Sequence, residues 1–143
     1  MIDLVMNFTS HYDDKFRFNY DDKRRHEILG ISYNPSNIYD IKCFEDVTLK
    51  QLNLLLEEHF IEHDENQNGS PNTMVYKTFM EKYPNATVHG YIVTPRRGDY
   101  RVTIEGLSYN GEVSTQMLRD FIDTFGRADN FITESNNLYC WYD

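Results

Sequence analysis

The sequence predicts an α+β domain in which an antiparallel sheet is packed by about three helices. Between residues 49 and 83 apolar side chains recur at helical spacing, whereas from residue 87 the period falls to two. Short turn signals join neighbouring strand patterns directly, which favours antiparallel pairing over a wound parallel sheet. At 143 residues and 40% hydrophobic content the chain reads as one domain over 1–143, long enough to bury a core.

The elements follow in order. IDLVMNF (2–8) is a short apolar run suited to an N-terminal strand, and Asp21 to Leu29 has helical potential. SYNPSN is a turn by composition, and IYDIKCF (38–44) reads as a strand. Thr48 offers an N-cap to a helix expected to run through LKQLNLLLEEHFIEH to His63. Ser70-Pro71 is expected to cap and open the next helix, which ends before Pro84 and forms an αα-hairpin with the first.

TVHGYIVT and DYRVTIEGL flank Pro95-Arg-Arg-Gly98, the start of an antiparallel meander near 87–113. Gly106 marks a bulge and Asn110-Gly111 a second hairpin turn. Ser114 caps a helix with a stripe of Met117, Leu118, Phe121, Ile122 and Phe125, and Gly126 sits where a left-handed end residue belongs. DNFITESNN reads as turn-rich, and LYCWYD as a C-terminal strand. In that strand Tyr139 and Trp141 alternate with Cys140, so its aromatic residues are either a partner surface or core.

Charge narrows the function classes. With 23 acidic and 14 basic residues the formal net charge is −9, which repels phosphate backbones and anionic membranes. A basic protein is the more natural partner. Nothing in the sequence approaches the ~20 apolar residues of a membrane span. The two cysteines, far apart and without a secretory leader, lead to the expectation of reduced thiols in a cytoplasmic protein.

HFIEHDENQNGSP (59–71) begins two metal patterns, H-x-x-E-H and D-x-N-x-N-G. On a continuous helix His59 and His63 fall within the apolar arc of Leu49, Leu52, Leu55, Leu56 and Phe60, where ligands need to point. Glu62 would then stand beside them as a base. The calcium loop lacks its acidic twelfth residue, which is Val75. A helix end followed by a turn accounts for every residue of the stretch, so no cofactor is expected. A metal-binding hydrolase or sensor at His59 and His63 stays the alternative.

Glu57, Glu58, Glu62, Asp64 and Glu65 place five acids in nine residues without a Lys or Arg. A solvated helix face explains most such runs; a docking surface for a basic partner is the functional reading. Arg96 and Arg97 sit on an expected loop tip, where contact residues concentrate, and the RGD they begin is a turn coincidence. Cys43 or Cys140 with His89 lacks any local nucleophile signature.

The leading expectation is therefore a non-enzymatic protein-binding module steered by Glu57, Glu58, Glu62 and Glu65. In character it is similar to bacterial accessory proteins such as immunity proteins, a likeness of size and composition only. A third reading is a homodimeric structural or mobile-element accessory protein pairing through an exposed sheet edge.

Overall fold

The computed structural model describes residues 21–32, 41–93 and 101–143. The strand expected at 2–8, the turn after Ser32 and the loop tip with Arg96 and Arg97 lie outside the described residues. Within them the chain is α+β, with four helices and a five-stranded antiparallel sheet. The elements are α1 (Asp22–Leu29), β1 (Ile41–Val47), α2 (Leu49–Glu57), α3 (Thr73–Lys82), β2 (Thr87–Val93), β3 (Arg101–Asn110), α4 (Thr115–Phe125), β4 (Asn130–Glu134) and β5 (Asn137–Trp141). The strand order is β1-β2-β3-β5-β4.

Alternation assigns the two faces of the sheet. Phe44, Val88, Ile92, Val102, Ile104, Leu107, Leu138 and Cys140 turn to the helices and are buried. They meet Leu52, Leu55, Tyr76, Phe79, Met80, Met117, Phe121 and Phe125 in one core. Aromatic rings dominate the helix side: Tyr76 stacks on Phe125 at 5.3 Å, and Phe121 stacks on Phe131 at 5.0 Å. Cys43, Glu45, His89, Glu105, Ser108, Tyr139 and Trp141 alternate to the opposite face.

Two bulges interrupt the ladder close together. In β1 the register slips between Phe44 and Val47, where Asp46 takes φ 55°. In β3 His89 faces Gly106 while Gly90 faces Ile104, so Glu105 is the extra residue. The bulge expected at Gly106 is thus present, one residue before it. Tyr142 ties down this point by donating its backbone N–H to the Glu105 carbonyl at 2.8 Å.

The first helix after Thr48 stops at Glu57, short of His63. Thr48 and Gln51 form a capping box at its start. At its end Phe60 donates to the Leu55 carbonyl at 2.8 Å and His59 to that of Leu56 at 3.2 Å. These are the two bonds of a Schellman motif, with His59 at φ 62° in the left-handed position. The turn drives Phe60 back into the core beside Leu55, a burial that further helix would not deliver.

The next helix starts later than expected. Asn72 is the cap, its side chain accepting the Val75 N–H at 3.3 Å. Ser70 is instead buried, its hydroxyl 2.8 Å from that of Tyr76. Residues 58–72 consequently form a long loop in place of a tight αα-hairpin turn.

Three other expectations change. Asn110-Gly111 does not turn a hairpin: the chain passes to the Ser114 cap of α4, and β3 pairs with β5 instead. Gly126 is right-handed at φ −65° and donates to Ile122 at 2.9 Å. DNFITESNN contains β4, which turns through Ser135 and Asn136 into β5.

Candidate functional site

The acids of the 57–65 run differ in burial and partners. Glu58 is bound by Arg24 of α1, whose Nε and Nη2 lie 2.7 and 2.5 Å from its carboxylate oxygens. That hydrogen-bonded guanidinium holds the Glu58 carboxyl below its ordinary value. Glu65 turns inward to accept the Glu62 backbone N–H at 3.0 Å, and Glu62 is itself half-buried. Glu57 and Asp64 remain exposed.

His59 and His63 are not placed on one inward helix face. Both lie beyond the end of α2 and both are exposed, His59 in its left-handed turn with Nδ1 3.6 Å from Glu62. Among the described residues no group of three or more His, Cys, Asp or Glu is arranged to hold a metal ion. Asn66, third in the calcium-like run, donates its side chain to the Ser70 carbonyl at 3.1 Å and so closes the turn.

The structure gathers a different set of residues on the sheet face opposite the helices. A hollow of about 270 Å³ there is lined by Cys43, Glu45 and Asp46 of β1, His89 of β2, Glu105 and Ser108 of β3, and Tyr139 and Trp141 of β5. Gly90 belongs to its lining, and Gly106 stands opposite His89 in the ladder. A Cβ at Gly90 would lie 1.8 Å from the Thr103 carbonyl oxygen, and one at Gly106 would lie 2.1 Å from His89 Nε2. With Gly106 bare, the His89 and Tyr139 rings stack at 5.1 Å with planes 6° apart.

Burial sets the electrostatics of this hollow. It pushes the Glu105 carboxyl above its ordinary value, while the Trp141 indole N–H donates to the carboxylate and works the other way. Burial also pushes His89 below its ordinary value, opposed by the nearby Cys140 carbonyl and by Asp46. The His89 ring is therefore neutral near pH 7, with Nδ1 3.4 Å from the Ser108 hydroxyl. Cys43 is exposed, whereas Cys140 lies on the core face with its thiol pushed up to about 12. The pairing of Cys140 with His89 as nucleophile and base has no chemical support in that placement.

Along the same face Arg101 lies over the Tyr91 ring at 5.6 Å and donates to the Tyr91 hydroxyl at 3.0 Å and to Thr103 Oγ1 at 3.1 Å. A second hollow, between α3 and α4, is bridged by its own lining: Lys82 pairs with Asp120 at 2.8 Å, and the Tyr83 hydroxyl donates to Asp120 at 2.5 Å. These partners hold the Asp120 carboxyl at about 2.

Sequence reasoning found Tyr139 and Trp141 as alternating aromatics but not the hollow, because its residues come from four strands spread over about a hundred positions. The available signal was the outward alternation of Glu105, Tyr139 and Trp141 around a glycine at 106. Comparison with protein-family models, with curated proteins and with solved structures finds no match.

Proposed function

We propose that the protein is a non-enzymatic binding module for a basic protein partner, and that its contact surface is the hollow around His89, Glu105, Tyr139 and Trp141. One observation carries this reading. Among the described residues the lining combines the carboxylates of Glu45, Asp46 and Glu105 with the rings of Tyr139 and Trp141 and the His89 imidazole, and includes no Lys or Arg. Such a surface attracts cations and repels phosphate or carboxylate ligands. The net charge of −9 acts in the same direction at longer range, raising the rate of encounter with a positive partner. The acidic helix end contributes to this field through Glu57 and Asp64, while Glu58 is matched by Arg24.

Association with an immobilised basic peptide, followed kinetically at several salt concentrations, tests the reading. Glu45→Lys with Asp46→Lys is expected to slow association about tenfold and flatten its salt dependence. Glu57→Lys with Asp64→Lys is expected to change the rate only slightly. A large effect confined to the second pair would move the contact surface to the helix end. Wild-type kinetics in both pairs would remove the basic-partner reading.

A further inference from the structure

We infer that the hollow is built to take the guanidinium of an arginine side chain in preference to a lysine ammonium. This rests on the basic-partner reading and specifies what enters the site.

Shape is the first argument. The hollow of about 270 Å³ lies just under the ~300 Å³ lower bound of small-molecule pockets, so it suits one side chain. The nearly parallel His89 and Tyr139 rings, with Trp141 beside them, make planar surfaces. A delocalised, weakly hydrated guanidinium stacks on such surfaces, whereas an ammonium stays strongly hydrated.

Hydrogen bonding is the second. The Trp141 indole donates one bond to a Glu105 carboxylate that has about four acceptor sites. A guanidinium presents parallel donors that match two carboxylate oxygens at once, and a partly desolvated carboxylate gains most from that match. Glu45 and Asp46 supply further negative charge at the β1 rim.

The third is the protein's own precedent. On this same face Arg101 covers the Tyr91 ring and donates to its hydroxyl. The His89–Tyr139 end offers equivalent aromatic surface with carboxylates added.

Trp141 is the single tryptophan of the chain, so its fluorescence reports on the hollow directly. The full chain is titrated with two capped tripeptides, acetyl-Gly-Arg-Gly-amide and acetyl-Gly-Lys-Gly-amide. The arginine peptide is expected to change the emission saturably, with a Kd at least tenfold below that of the lysine peptide. Glu105→Gln is expected to weaken the arginine peptide at least tenfold with unchanged far-UV circular dichroism. If that variant folds poorly, Glu45→Gln at the exposed rim is expected to weaken it severalfold. Equal affinities for the two peptides would overturn the guanidinium preference while leaving the basic-partner reading intact. No emission change with either, beside kinetic binding of the longer basic peptide, would place the contact elsewhere, overturning this inference and the assignment of the hollow as contact surface while leaving a basic partner in place. Wild-type affinity in folded Glu105→Gln would overturn it as well.

Discussion

His89 and Tyr139 stack face to face although their strands are not neighbours: β3 runs between them, with Gly106 opposite His89 and Ser108 opposite Tyr139. Strands two apart are separated by ~9.5 Å, so only a position without a side chain lets rings lean together over the intervening backbone. The stack, the bulge at Glu105 and the hollow are therefore one construction.

Gly106→Ala tests that construction. The new methyl would meet His89 Nε2 at 2.1 Å and the Cys140 carbonyl at 2.2 Å, and the carbonyl belongs to the ladder and cannot swing away. A loss of about 1–3 kcal/mol in urea unfolding is expected. The arginine-peptide response of Trp141 should disappear in the same variant. Retention of both would show that the rings need no glycine beneath them.

Arg25 is the least conventional member of the interior. It has no exposed side-chain surface, is paired with Asp22 and donates to the Val93 carbonyl at 3.3 Å. Burial lowers its pKa, and the Asp22 carboxylate opposes that. Arg25→Ala removes one partner of a buried pair, and thermal or urea unfolding is expected to show a loss of about 3–5 kcal/mol. Arg24→Ala, which breaks a more exposed and solvent-screened pair, should cost far less.

Two groups of the hollow give opposite pH signatures. His89 has its folded pKa below the ordinary 6.5, so the native state binds the proton less well than the unfolded chain does. Its stabilising contribution is complete above that value and is lost as pH falls through it. Glu105 is raised above 4.5, so it costs stability at neutral pH and none in acid. Glu105→Gln is accordingly expected to be more stable than wild type at pH 7 and equal to it near pH 4. His89→Gln should flatten the decline between pH 7 and 5, to which His26, also lowered by burial, still contributes. A Glu105→Gln variant less stable at pH 7 would refute the desolvation argument.

The two thiols should separate by rate. Cys43 is exposed, and Cys140 is buried with its thiol pushed up to about 12. A disulfide reagent is expected to titrate one cysteine quickly in the native protein and the second only on unfolding. Arginine peptide should slow the first reaction, since Cys43 lines the hollow. Two fast thiols would mean that β5 opens readily.

Much of the fold was legible in the sequence where a local rule met no competitor. Thr48 and Ser114 cap their helices as read, and the β2–β3 pairing follows the two-residue period. Rules failed where a distant demand outweighed them. Burial of Phe60 ends α2 early, the hydroxyl of Tyr76 claims Ser70 from its capping role, and β5 supplies the partner that Asn110-Gly111 was expected to turn toward. β4 was missed because its Asn and Thr residues lie on an exposed edge strand, where no apolar alternation is required. The metal-like histidines depended on a helix continuing to His63, and that premise failed with the left-handed turn at His59.

The two bulges at Asp46 and Glu105 are features of the main chain, and a bulge bends its strand and sharpens the local twist. The hollow they help to shape is thus drawn by backbone, while Glu45, Ser108, Tyr139 and Trp141 merely furnish it. None of these four belongs to the buried core, and Glu45, the exposed one, is open to exchange at little risk to folding. Under the proposed binding role, ligand preference would be set by a few surface positions while the helices and the inner sheet face stay as they are.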